Sequence, residues 1–213
     1  MKKLLLFAVA AAAVCCKTAP APGGYTITGH VDGLQADSVW LFASQQDAKP
    51  TASSAVTDGN FNFKGRVAEP SLGMIVAQQG VVCDLIVESG DITIKGTVSA
   101  LNDISVTGTP ANDAVTGDFA RLSTAFKAVQ CHDEEQQQEL ITNLWKDGAK
   151  AYSDNFAGVV YTMNLIERIP AEQVQALYDG LSPKMKATAA AATIRDYLAH
   201  PASPSNAPGT NAF

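Results

Sequence analysis

Histidine and cysteine are scarce, three and four among 213 residues, and that scarcity removes several chemistries at once. Cys15 and Cys16 fall at the very start, so the rest of the chain holds only Cys83 and Cys131. A structural zinc site takes four ligands, usually in paired Cys/His motifs, and no second pair accompanies Cys131-His132. A disulfide framework needs an even set of cysteines at short spacings. Two distant cysteines in an exported chain can pair or stay free, and the spacing leaves both open. There is no C-x-x-C, no glycine-rich phosphate loop, no G-x-S-x-G and no H-E-x-x-H. Lysine and arginine form no cluster, which argues against nucleic acid, where phosphate neutralisation dominates affinity. It argues equally against a polybasic membrane contact. No apolar run reaches the roughly 20 residues that span a bilayer.

The two ends of the chain read as something other than a folded domain. Lys2 and Lys3 precede an apolar stretch over residues 4–14, the pattern of a signal peptide over residues 1–15. Ala13-Val14-Cys15-Cys16 resembles a bacterial lipobox, with Cys16 as the lipid acceptor because the residue before it is small. The departure is Cys15 where Gly, Ala or Ser is usual. The competing reading is ordinary cleavage that leaves both thiols free. Each buried CH₂ of a lipid chain adds about 0.8 kcal/mol, and two chains already anchor stably. The expectation is therefore a lipoprotein of the cell envelope, held at a membrane (the outer one, facing the periplasm) through Cys16. Residues 16–24, rich in Pro and Gly, serve as the lipidated N-terminus and spacer. Residues 200–213, rich in Pro, Ser, Asn and Ala, read as a disordered tail or a linker. The segment 1–15 carries two of the 15 basic residues and none of the 21 acids, so removing it takes the net charge from −6 to −8.

Between those ends the apolar period changes once. Over residues 25–108 it is two: Tyr25, Ile27 and Val31 alternate with Thr26, Thr28 and His30, and Phe61, Phe63 and Val67 alternate with Asn62, Lys64 and Arg66. Asp58-Gly59-Asn60 is a hairpin-type turn, and Ser89-Gly90 links two strands tightly. About eight such strands predict an antiparallel β-sandwich. At Thr109-Pro110, a hydroxyl N-cap followed by Pro at the first helical position, the period becomes helical. Val115, Phe119, Leu122, Phe126 and Val129 form one apolar stripe. Further helices carry Leu140 to Tyr152 and Phe156 to Ile166, then run from Pro170 to Gly180 and from Ser182-Pro183 to Leu198. The predicted fold is α+β: a sandwich over 25–108, then a helical region of about five helices over 109–199.

Candidate chemical residues read more simply as structure. Asp133, Glu134 and Glu135 after Cys131-His132 complement the positive end of a helix dipole. Cys83 is in phase with Val81, Leu85 and Val87, so it is expected to face the core as a small hydrophobe. A reactive thiolate needs an electropositive, exposed setting, and Asp84 is the wrong neighbour. His30 and His200 read as solvated, and Asp84, Glu88 and Asp91 show no partner geometry for acid/base work. No catalytic residue, metal ligand or cofactor is expected.

Four segments together resemble one family: Tyr25-Thr26-Ile27-Thr28-Gly29, Asp58-Gly59-Asn60-Phe61-Asn62-Phe63-Lys64-Gly65, Val87-Glu88-Ser89-Gly90-Asp91-Ile92-Thr93-Ile94-Lys95-Gly96, and Val106-Thr107-Gly108-Thr109-Pro110-Ala111-Asn112-Asp113. The resemblance is to the N-terminal domain of unknown function of Gram-negative lipoproteins in the TlpA-like, AhpC/TSA-type thiol-disulfide oxidoreductase class. Asn155-Phe156-Ala157-Gly158 and Leu181-Ser182-Pro183 continue it. In that family a thioredoxin-like domain with a catalytic C-x-x-C follows the helices, and residues 207–213 resemble the lead-in to it. No catalytic residue of the family has a counterpart here. The resemblance implies a non-catalytic accessory or interaction module, standing alone or truncated from such an enzyme, with a protein partner. The alternative is a β-sandwich lipoprotein that binds a small ligand or glycan. Surface aromatics beside an open pocket favour the alternative, and a filled sandwich with an exposed helical face favours the module.

Overall fold

The computed structural model describes residues 23–129 and 133–200. The expected signal peptide, Cys15 and Cys16, Cys131 and His132, and the expected tail after His200 lie outside the described residues. Among the described residues eight strands come first: β1 (Gly24–Asp32), β2 (Ser38–Phe42), β3 (Ala52–Ala55), β4 (Asn60–Arg66), β5 (Ser71–Ala77), β6 (Gly80–Val87), β7 (Gly90–Thr97) and β8 (Ala100–Thr107). They form two four-stranded sheets, β4-β1-β7-β8 and β3-β2-β5-β6. Tyr25, Ile27, Val31, Phe61 and Phe63 point into the core between the sheets, as the two-residue period requires.

The expectation of a wholly antiparallel sandwich needs one correction, because β1 and β7 pair in parallel, Ile27 opposite Ile92. A parallel pair needs a long crossover, and here the crossover is β2 to β6, four of whose strands form the other sheet. Alternation along a strand carries no information about its direction.

The turn at Asp58-Gly59 forms as predicted: both residues have positive φ, 49° and 74°, and Thr57 and Asn60 exchange backbone hydrogen bonds of 3.0 and 2.9 Å. It carries the chain from β3 in one sheet to β4 in the other. Across β1 and β4, Gly29 lies opposite Phe61 and Gly65 opposite Tyr25. A methyl group on either glycine would run into the facing ring. The aromatics thus lie over bare backbone on the inner face.

Among the described residues six helices follow where about five were expected: α1 (Pro110–Val129), α2 (Glu134–Ala151), α3 (Phe156–Asn164), α4 (Ala171–Gly180), α5 (Pro183–Lys186) and α6 (Ala189–Ala199). The predicted last helix is broken at Ala187-Thr188, where Thr188 accepts a hydrogen bond from the Ala191 N–H and starts α6. Helix α3 is apolar on all sides and buried, the composition of a central helix. Around it pack Leu165, Ile169, Val174, Leu177, Met185 and Ile194, together with Ile86 and Leu72 from the outer face of the second sheet. No described helix is long and apolar enough to cross a membrane.

Candidate functional site

Sandwich and helices meet at a polar joint. Asn112, on the first turn of α1, is 3% exposed. Its Oδ1 accepts the Ile86 N–H at 2.9 Å, and its Nδ2 donates to the Ile86 carbonyl at 2.8 Å and to Thr109 Oγ1 at 2.8 Å. One turn later the Thr116 hydroxyl donates to the Val106 carbonyl at 2.6 Å and accepts the Val106 N–H at 3.3 Å. Ile86 lies on β6 and Val106 on β8, the edge strands of the two sheets. Residues four apart on one helix face therefore occupy the free hydrogen-bonding groups of both edges, which blocks pairing with another strand there. Glu88 belongs to this joint: its carboxylate accepts the Ala111 N–H at 2.8 Å. Thr109 precedes the helix as expected, but its hydroxyl is taken by Asn112 and its carbonyl by the Asp113 N–H.

A second polar cluster lies where α1 meets α2 and α3. Asp118, 1% exposed, accepts from Tyr161 Oη at 2.9 Å and from Tyr152 Oη at 3.3 Å, and pairs with Arg121. Gly148 makes room for the Tyr161 ring. Burial chiefly, and then Tyr152, raises the Tyr161 phenol above its ordinary pKa while Arg121 opposes them, so it stays a donor to Asp118. This cluster rotates α1 away from the predicted stripe: Asp118 and Leu122 face inward, and Phe119 is 53% exposed. A cavity of about 250 Å³ beside Asp118 and Arg121 is bordered by Leu144 and Asp147. A larger groove of about 400 Å³ runs between α2 and α4.

Among the described residues, those singled out from sequence do not converge. Asp84 faces outward and accepts from Gln45 Nε2 at 3.1 Å, Glu88 serves α1, and Asp91 is exposed on β7 in the other sheet. His30 is exposed and hydrogen-bonds the side chains of Asn60 and Asp32, each at 3.0 Å. His200 closes α6 through its backbone N–H. Asp133 caps α2 by accepting the Glu135 N–H at 3.0 Å, with Glu134 and Glu135 in the first turn. Cys83 is partly buried against the sandwich core, and burial, then Asp84, pushes its thiol up to about 12. Val81, expected to share its face, is 51% exposed instead. The pairing slips between Ile75–Cys83 and Val76–Val81, so Val82 is an extra residue that turns inward and aims Val81 out.

That bulge completes a surface which sequence reasoning missed. On the outer face of the first sheet stand Thr26, Thr28, His30, Asn62, Lys64 and Lys95, a solvated face. The outer face of the second sheet differs. Trp40 lies opposite Val76, Val76 opposite Val81, and Phe42 opposite Met74. These five residues alternate with the buried Val39, Leu41, Ile75 and Val82, and neither hydrophobic core takes them up. Leu72 and Ile86 on this face join the helical core, whereas Val81 is exposed and Trp40 stays half-buried outside it. The signal was present in residues 39–42 and 74–76, which are apolar at consecutive positions, the pattern of a strand apolar on both faces.

Residues 25–115 match a family described as a domain of unknown function, DUF4369, so the match runs from β1 through the sandwich and past Asn112 into α1. No curated protein matches the chain, and no solved structure matches it.

Proposed function

We propose that this chain is a lipoprotein of the cell envelope, anchored through Cys16, whose body is a non-catalytic accessory module of thiol-disulfide oxidoreductases. The observation that carries the reading is the outer face of the second sheet, where Val81 is exposed and Trp40, Phe42, Met74 and Val76 are half-buried outside both hydrophobic cores. A sheet face is flat, so it suits a protein surface better than a small molecule. The partner that fits the resemblance is a thioredoxin-like oxidoreductase domain presenting an uncharged apolar patch. Two further observations favour a module over a ligand-binding sandwich. The interior between the sheets is filled by fully buried Ile27, Leu41, Ile75, Ile92 and Ile94, and Trp40 and Phe42 border neither of the two helical cavities. Burial of Cys83, which raises its thiol pKa, argues against a redox role for that residue.

A photoreactive amino acid placed at position 76 or 81 in the anchored protein tests this. The expected result is an adduct whose partner mass spectrometry identifies as a thioredoxin-like oxidoreductase, absent when the probe stands at Thr28 on the polar sheet. Equal labelling from position 28, or no adduct from 76 and 81, would contradict the reading.

A further inference from the structure

We propose that the groove between α2 and α4 is a binding site for a small amphiphilic carboxylate, an anion with an apolar body. Its volume, about 400 Å³, falls in the range of small-molecule sites. Buried Ala149, Ile169 and Leu177 supply apolar lining, and Ala176 and Gly180 of α4 add no bulk. The polar lining is chosen differently: Lys146 and Lys150 stand one turn apart on α2, and no acid lines the groove. Like charges four residues apart on a helix repel unless something lies between them. Four other cations of the helical region are engaged, and the remaining two, Lys127 and Lys184, do not line the groove. Arg121 pairs with Asp118, Arg168 stacks on Trp145 and donates to Gln138, Lys186 donates to the Asp179 carbonyl, and Arg195 donates to the Lys186 carbonyl. Lys146 and Lys150 have no hydrogen bond or ion pair among the described residues. Two free ammonium groups beside an apolar cleft, in a chain of net charge −6, complement a carboxylate head with a hydrocarbon tail. A phosphate or a sugar would leave the cleft's apolar lining without a counterpart.

The test uses decanoate, below its micellar range, added to the chain from Lys17 onward, which keeps every described residue. Amide chemical shifts are followed in the wild type, in K146Q/K150Q and in Ala176→Phe, which narrows the groove from an exposed position without touching the core. Decanol and decyltrimethylammonium serve as the uncharged and cationic comparisons. Saturable shifts at Lys146, Lys150, Ser153 and Gly180 are expected. Binding should weaken about five- to tenfold in the double lysine variant, the scale of two exposed charge contacts, and be lost in Ala176→Phe. Thermal midpoints of both variants, measured alongside, should match the wild type. Binding unchanged by the lysine substitutions, equal binding of decyltrimethylammonium, or shifts confined to Trp40, Val76 and Val81 would overturn the proposal.

Discussion

Replacing Asn112 with Ala tests whether the polar joint holds sandwich and helices together. The substitution keeps the helix and removes three hydrogen bonds, leaving the Ile86 N–H and carbonyl with no protein partner at a site where Ile86 is 3% exposed. An orphaned buried donor or acceptor costs about 1–3 kcal/mol. Water entering the vacated amide space recovers part of that for two groups, which places the loss at about 3 kcal/mol. A domain's whole stability is about 5–15 kcal/mol, so this is readily measured by urea unfolding. Asp113→Ala is the control: it removes one bond, to the exposed Gly108 N–H, and should cost less than about 1 kcal/mol. The two tryptophans report on the two halves separately, Trp40 from β2 and Trp145 from α2. In single-tryptophan backgrounds the two transitions should coincide in the wild type and separate in Asn112→Ala. A variant within about 0.5 kcal/mol of wild type, with coincident transitions, would refute the idea that this side chain seals the joint.

Phe63→Ala empties a buried position in the sandwich core and should cost about 3–5 kcal/mol, whereas Asn62→Ala on the solvated face should stay within about 0.5 kcal/mol; equal urea midpoints would show the strand phase to be wrong. Cys83 should resist iodoacetamide at pH 8 in the native chain and react rapidly in urea, with peptide mass spectrometry separating it from Cys131; insulin reduction that disappears in Cys83→Ser would refute its inert role. Because folding raises the Cys83 pKa from about 9 to about 12, its neutral form contributes stability below pH 9 that is lost as pH climbs towards 12. Cys83→Ala should therefore flatten the fall in stability over that window, and an unchanged slope between the two proteins would contradict it.

What could be read from the chain divides along local and non-local lines. Tyr25-Ile27-Val31 and Phe61-Phe63 declared their faces because only one side of their sheet is buried, so two-residue alternation survives intact. Asp58-Gly59 declared its turn because two consecutive positive φ angles need such residues. The parallel register of β1 and β7 and the extra residue at Val82 arise from pairing with distant strands, and no neighbour in sequence marks them. Asp118, and not Phe119, lies on the inner side of α1 with Leu122 because its partners, Tyr152 and Tyr161, sit 34 and 43 residues further on. Considered alone, a carboxylate belongs on the wet side and Phe119 on the dry one. Glu88 looked like a stray acid for the same reason, since the helix start that it serves lies 23 residues away. The outer face of the second sheet is written in the apolar runs at 39–42 and 74–76, which two-residue alternation alone does not register.

The membrane anchor is the claim on which the proposed function depends, and the N-terminal peptide of the protein isolated from membranes tests it most directly. The account predicts a mature chain that begins at Cys16 and carries acyl mass on that residue, with Cys16→Ser leaving the chain either uncleaved or released from the membrane. A wild-type protein recovered in the soluble periplasmic fraction, with Cys16 unmodified, would contradict it.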